Sequence, residues 1–75
     1  MSVNERTHRG RRFMKALTKA KQSFNPKTAS MTIKFASSED YENALWLYRD
    51  PNADARWSVE ELGNLTIRVT PQRPQ

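Results

Sequence analysis

The chain of 75 residues contains no cysteine, one histidine and two glycines. The absence of cysteine excludes disulfide bonds, thiolate zinc ligands and cysteine nucleophiles. Two glycines cannot build a glycine-rich phosphate loop. No apolar run approaches the roughly 20 residues that a membrane-spanning helix requires. Residues 1–30 also lack the apolar segment of a secretory signal, so we expect a cytoplasmic protein without a membrane span.

Residues suited to catalysis or metal binding are equally sparse. His8 is the only histidine and lies in a polar stretch with nothing to orient it. Asp50, Asn52 and Asp54 alternate like the start of a calcium loop, but the required glycine and terminal glutamate are missing. The sequence therefore predicts a protein that is not an enzyme and has no metal site or cofactor.

The composition is that of a small domain with little core. Apolar residues make up 36% and charged residues 28%, with a mean hydropathy of −0.91. A domain of this size buries only about 60% of the surface of its unfolded chain. Association with a second copy of the chain would add stability, so a homodimer is compatible with the composition.

Positive charge is concentrated in the first part of the chain. Residues 1–28 carry eight cations and one anion, a net charge of +7, and residues 29–75 carry five cations and seven anions, −2; together they give the net +5 of the chain. Such asymmetry indicates a polyanionic partner. The basic residues of the first part are Arg6, Arg9, Arg11, Arg12, Lys15, Lys19, Lys21 and Lys27.

Within this basic part, the apolar spacing predicts a flexible arm followed by a helix. Residues 1–12 offer little to bury and include Gly10, so we expect a flexible basic arm. Phe13, Leu17 and Phe24 then fall on one helical stripe, and Asn25-Pro26 is expected to end that helix.

The centre of the chain predicts a strand and a capped helix. Met31, Ile33 and Phe35 alternate with polar residues, as in a half-buried strand. Ser37, with Asp40 three residues later, is typical of a helix N-cap. The predicted helix extends from about residue 39 to 49 and stops at Asp50-Pro51.

Residues 57–62 fit two structures. In one, Ser58 and Glu61 cap a single helical turn. In the other, which we prefer, residues 56–61 pair with residues 65–69 through a three-residue loop of 62–64. That hairpin places Trp57 opposite Val69 on the apolar side.

Together these elements predict a small single α+β domain in the order helix, strand, helix, strand, strand, with both helices packed on one face of a three-stranded sheet. The compact domain spans residues 13–70, and residues 71–75 are expected to form a disordered tail. We expect a core of Phe13, Leu17, Met31, Ile33, Phe35, Leu45, Tyr48, Trp57, Val59, Leu65, Ile67 and Val69.

The favoured function is a small non-enzymatic nucleic-acid-binding protein, with a regulatory role open to it, that binds DNA or RNA. Its basic arm and first helix would contact phosphates through the eight cations named above. Trp46 lies off the apolar face of the second helix and is a candidate for stacking on a base.

An alternative is a protein interaction module or inhibitor, of the compact kind that mobile genetic elements encode. It would dock on a larger acidic protein through the same basic helix or through a sheet edge. The apolar stripe opposite basic residues is also typical of a membrane-surface helix, but we expect that stripe to lie in the core.

Overall fold

The structure, a computed structural model, describes residues 3–51 and 56–72, without the side chains of residues 3 and 4. It consists of two helices and one antiparallel sheet with the strand order β1-β2-β4-β3. The elements are α1 (Val3–Lys19), β1 (Lys21–Asn25), β2 (Ser30–Lys34), α2 (Ser38–Tyr48), β3 (Trp57–Gly63) and β4 (Thr66–Pro71). The α+β class is as predicted, but the sheet has a fourth strand and the element order differs accordingly.

Strand β2 lies at the centre and confirms the alternation of residues 31–35. Ile33 is paired with Ile67 and Met31 with Val69 across the β2–β4 ladder. Ile33, Ile67 and Val69 have the largest fully buried side chains. Both helices pack on this apolar face, because Ala16 of α1 and Ala44 of α2 belong to the same buried cluster. Small side chains at these two positions let the helices approach the sheet closely.

The predicted core agrees with the observed one except at Leu65, which lies in a turn, and at Phe24 of the predicted helical stripe; both are outside the cluster. An aromatic row connects the elements along one side of this core. The ring centroids of Phe13 and Tyr48 are 5.5 Å apart, and those of Tyr48 and Trp57 are 5.2 Å apart, both in edge-to-face geometry. Such pairs add to the burial of apolar area.

Helix α1 begins at Val3, where we predicted a flexible arm over residues 1–12. Gly10 lies inside the helix, and a Cβ at this position would have no neighbouring atom within 4 Å beyond the helix's own backbone. The helix extends this far because polar groups of α2 bind it, as described below, and such tertiary contacts override weak local propensity. Residues 1 and 2 lie outside the described residues.

The prediction that the first helix continues to Asn25 was wrong. It ends at Lys19, and the Leu17 carbonyl accepts hydrogen bonds from the Ala20 N–H and from the Gln22 side-chain amide. Residues 21–25 instead form β1, which pairs with β2 as a hairpin. The side chain of Phe24, expected in the core, is 59% exposed. The hairpin supplies backbone partners that the helical stripe could not reveal.

Helix α2 starts as predicted. The Ser37 hydroxyl accepts a hydrogen bond from the Asp40 N–H at 3.2 Å and so caps the helix. The helix ends at Tyr48, one residue before the predicted end. Neither helix of the described chain is long and apolar enough to cross a membrane.

Residues 57–63 form a strand, so the hairpin is confirmed and the helical turn is wrong. The register differs by two residues from the predicted one, since Val59 faces Val69 and Trp57 faces Pro71. The turn consists of Asn64 and Leu65, both with positive φ, which is typical of a type I′ turn.

A bulge near the turn preserves the predicted faces of this hairpin. Between Glu61 and Gly63 the strand β3 contains one extra residue, and Gly63 has φ +84°. The extra residue compensates for the shorter loop, so Trp57 and Val59 stay on the apolar side. Pro71, which we expected to begin a disordered tail, ends β4; residues 73–75 of that tail lie outside the described part of the chain.

Candidate nucleic-acid interface

Two arginines of α1 bind carboxylates of the same molecule. The Arg6 guanidinium lies 3.0 Å from Asp50, next to the C-terminal end of α2. Arg12 contacts Glu39 at 2.9 Å and Asp40 at 3.1 Å, in the first turn of α2. These hydrogen bonds, the one to Glu39 first, raise the pKa of the Arg12 guanidinium. Both side chains, predicted to contact phosphates, therefore join the two helices.

Arg9 is held more closely between the helices. Its guanidinium binds Glu5 at 2.9 Å and donates to the Asn43 side-chain oxygen at 3.2 Å. The Asn43 amide donates in return to the Arg9 backbone carbonyl at 3.0 Å, and Asn43 is only 5% exposed. The same guanidinium lies 4.4 Å from the centroid of the Trp46 ring. One face of Trp46, the candidate for base stacking, is thus covered by Arg9.

Three other cations of α1 point away from the rest of the molecule. Arg11, Lys15 and Lys19 follow one another at intervals of four residues and are all exposed. Four residues of helix rise about 6 Å, so these cations form a line along the outer side of α1, which we call the outer ridge. None of the three has an ion pair within the described part of the chain.

Most carboxylates, in contrast, are already neutralised. Arg49 binds Glu61 at 3.1 Å, and Arg68 binds Glu60 at 2.8 Å, in addition to the pairs of α1. Among the described carboxylates, only Glu42 is without an ion pair. The charge left uncompensated is therefore almost entirely positive, as an anionic partner requires.

The remaining predicted cations lie on the sheet. Lys21 starts β1 and is directly opposite Lys34 of β2. Lys27 lies in the β1–β2 turn, where its N–H donates to the Asn25 side chain at 2.9 Å. Lys34 was not among the predicted binding residues. The alternation of β2 already placed it on the polar side, but only the unpredicted strand β1 brings a second lysine beside it.

The sheet side away from the helices is uncovered and polar, and we call it the open face. It carries Thr32, Lys34, Thr66 and Arg68 in opposed pairs. Two depressions lie on it, with volumes of about 560 Å³ and about 280 Å³. The residues that line them are mostly polar, and polar atoms make up most of the exposed lining of the larger depression, whereas carbon atoms of these side chains make up most of that of the smaller one. Such a surface can contact a polar or charged ligand.

His8 lies on the exposed side of α1. Residues 3–51 and 56–72 contain no group of three or more histidine or carboxylate side chains placed to hold a metal ion. Asn52 and Asp54 of the calcium-loop-like stretch lie outside these residues.

No protein-family model, curated protein or solved structure matches the chain. Fold and surface together define a class: a small α+β domain with a four-stranded antiparallel sheet covered on one side by two helices.

Proposed function

We propose that the protein is a small non-enzymatic nucleic-acid-binding protein that contacts the phosphate backbone through the outer ridge. Regulation is one role that such a protein could have. The observation that carries the proposal is the division of the α1 cations into two sets. Arg6, Arg9 and Arg12 are used within the molecule, whereas Arg11, Lys15 and Lys19 remain exposed without an ion pair among the described residues.

The chemistry of the ridge suits backbone contact. Arg11 can bind two phosphate oxygens at once, whereas Lys15 and Lys19 act as point charges on flexible stems. Each contact releases condensed counterions, so three contacts give a slope of log affinity against log salt of about −2 to −3. A line of cations contacts the phosphates and not the base edges, so we expect binding with little sequence preference.

Docking on an acidic protein is the alternative, and one observation favours it. Met14 lies on α1 beside the ridge and is 63% exposed. A protein interface is usually anchored by apolar or aromatic side chains in its centre. Met14 is a single residue of this kind, and it does not form the broad apolar patch that a stable interface has.

The test is a salt series of binding to labelled duplex DNA, single-stranded DNA and RNA. The ridge variant Arg11→Gln/Lys15→Gln is compared with Lys27→Gln/Arg56→Gln, which removes the same charge from two other cations that have no ion pair among the described residues. We expect the ridge variant to reduce the magnitude of the salt slope by about 2, and the control to change it little.

Two results would contradict the proposal. Equal losses in both variants would mean that net charge alone attracts the nucleic acid. Absence of binding by the native protein above about 0.1 M salt, where surface charges are largely screened, would leave the ridge as a docking surface for an acidic protein.

A further inference from the structure

Two lysines face each other on the open face of the sheet. Lys21 of β1 is the direct cross-strand partner of Lys34 of β2. Side chains in such positions have Cβ atoms about 4.5–5.5 Å apart, and like charges there destabilise the strand pair. A negative charge close to both ammonium groups would therefore stabilise this strand pair.

The described strands supply no such charge. Glu60 is their only carboxylate on the open face, and it lies opposite Arg68 and binds it at 2.8 Å. Glu61 lies on the other side, where it accepts a hydrogen bond from Tyr41 of α2. The residue across from Lys34 on β4 is Thr66, which is neutral. Both ammonium groups are thus without an ion pair among the described residues.

The surroundings of the two lysines are those of a site for an oxyanion. They line a depression of about 280 Å³ together with Gln22, Ser23, Thr32 and Thr66. The Ser23 and Thr32 hydroxyls and the two ammonium groups can donate hydrogen bonds to a ligand there. The Thr66 hydroxyl donates to the Asn64 carbonyl at 3.0 Å, and the Gln22 amide donates to the Leu17 carbonyl at 2.8 Å. No aromatic ring lines it, so it is suited to a phosphate group and not to a base.

We propose that this depression, defined by Lys21, Lys34, Ser23, Thr32 and Thr66, binds a phosphate group. The site lies on the sheet and does not depend on the outer ridge of α1. The phosphate could belong to a nucleic-acid backbone or be free inorganic phosphate, since both present the same chemistry. Only the first source rests on the proposed function.

The experiment measures the melting temperature in sodium phosphate and in sodium chloride at equal ionic strength. A ligand that binds only the folded state raises this temperature. Lys21→Gln/Lys34→Gln should lose most of the phosphate-specific rise. The control Lys27→Gln/Arg56→Gln removes the same charge from two exposed cations that lie neither in the depression nor on the ridge, and it should keep this rise. General salting-out by phosphate acts on all variants and cancels in the comparison.

Folding of the test variant is not a concern, because it removes a repulsion between two exposed lysines. Amide NMR spectra of the native protein during phosphate titration provide a second measurement. Shifts should concentrate at Ser23, Thr32 and Thr66. Equal rises in melting temperature for both variants, or shifts spread over all exposed cations, would overturn the site.

A short single-stranded oligonucleotide then identifies the source of the phosphate. If it displaces inorganic phosphate, and Lys21→Gln/Lys34→Gln weakens its binding, the site contacts the nucleic-acid backbone. If phosphate binds and the oligonucleotide does not displace it, the site stands with free phosphate as its ligand, and the proposed function is then decided by the salt series at the outer ridge. The two proposals can therefore fail separately.

Discussion

The guanidinium of Arg9 lies over the ring of Trp46, 4.4 Å from its centroid, and so connects α1 to α2. Two further arginines of α1 make the same connection through Asp50, Glu39 and Asp40. Part of the basic charge that marks the beginning of the sequence therefore holds two helices together. The charge open to a partner is the part that remains.

Replacing Arg9 by alanine should destabilise the protein by about 1–2 kcal/mol. The change removes the contact with Trp46 and leaves the side-chain oxygen of the buried Asn43 without its donor. Urea denaturation measures the free energy of unfolding. Arg11→Ala, on the exposed ridge of the same helix, is the control and should stay within about 0.5 kcal/mol of the native value. Equal effects would mean that the Arg9 contacts contribute nothing.

Replacing Gly10 by alanine should stabilise the protein by about 0.5–1 kcal/mol. Glycine is unfavourable inside a helix, and a Cβ at this position has open space around it. Circular dichroism of thermal unfolding measures the change. If residues 3–12 were a flexible arm, the substitution would leave the unfolding transition where it is.

The turn between β3 and β4 predicts opposite effects at two neighbouring positions. Leu65 has φ +59°, a conformation that costs a residue with a Cβ about 1–2 kcal/mol, so Leu65→Gly should raise stability by about 0.5–1 kcal/mol. Gly63 has φ +84°, and Gly63→Ala should lower stability by a similar amount. Urea denaturation of both variants checks the signs. A loss of stability in both would show that the Leu65 side chain contributes more than its backbone strain costs.

Glu61 predicts a pH dependence at the acid end. The Tyr41 hydroxyl, at 2.7 Å, and the Arg49 guanidinium, at 3.1 Å, lower the pKa of this carboxyl below its ordinary value of 4.5. A lowered pKa in the folded state contributes stability that is present above the ordinary value and is lost as the pH falls through the folded value. Stability should therefore decrease below about pH 4.5, and less so in Glu61→Gln.

Unfolding measured from pH 7 down to pH 3 compares these two proteins with Glu42→Gln, a carboxylate without an ion pair among the described residues. The Glu42 variant should follow the native curve. Parallel curves for the native protein and Glu61→Gln would mean that the Tyr41 and Arg49 contacts do not stabilise the charged form.

Some features follow from local sequence alone. The alternation of residues 31–35 requires a strand with one buried face, because neighbouring side chains of a strand point to opposite sides. The N-cap at Ser37 follows from its own hydroxyl and the N–H three residues later. The class of fold and most of the core follow from such patterns, which need no knowledge of distant contacts.

The strand β1 could not be predicted in this way. The spacing of Phe13, Leu17 and Phe24 fits a helix, and Phe24 departs from it only because β2 offers residues 21–25 a ladder of backbone partners. This strand also creates the lysine pair of the open face. The periodicity of a sequence does not reveal which residues are paired across strands, since the two partners are not related by local spacing.

The sequence by itself determined the charge asymmetry, the α+β class, the central strand and the second helix. Only the tertiary structure decided which cations of α1 bind groups of the same molecule and which are exposed without an ion pair among the described residues. Arg9 and Arg11 are the same residue type two positions apart, yet the first lies against Asn43 and Trp46 and the second lies on the outer ridge. The physical reason is the rotation of about 100° per residue in a helix, which turns Arg9 toward α2 and Arg11 away from it. The position of α2 depends on contacts between residues distant in sequence, so local patterns do not reveal it.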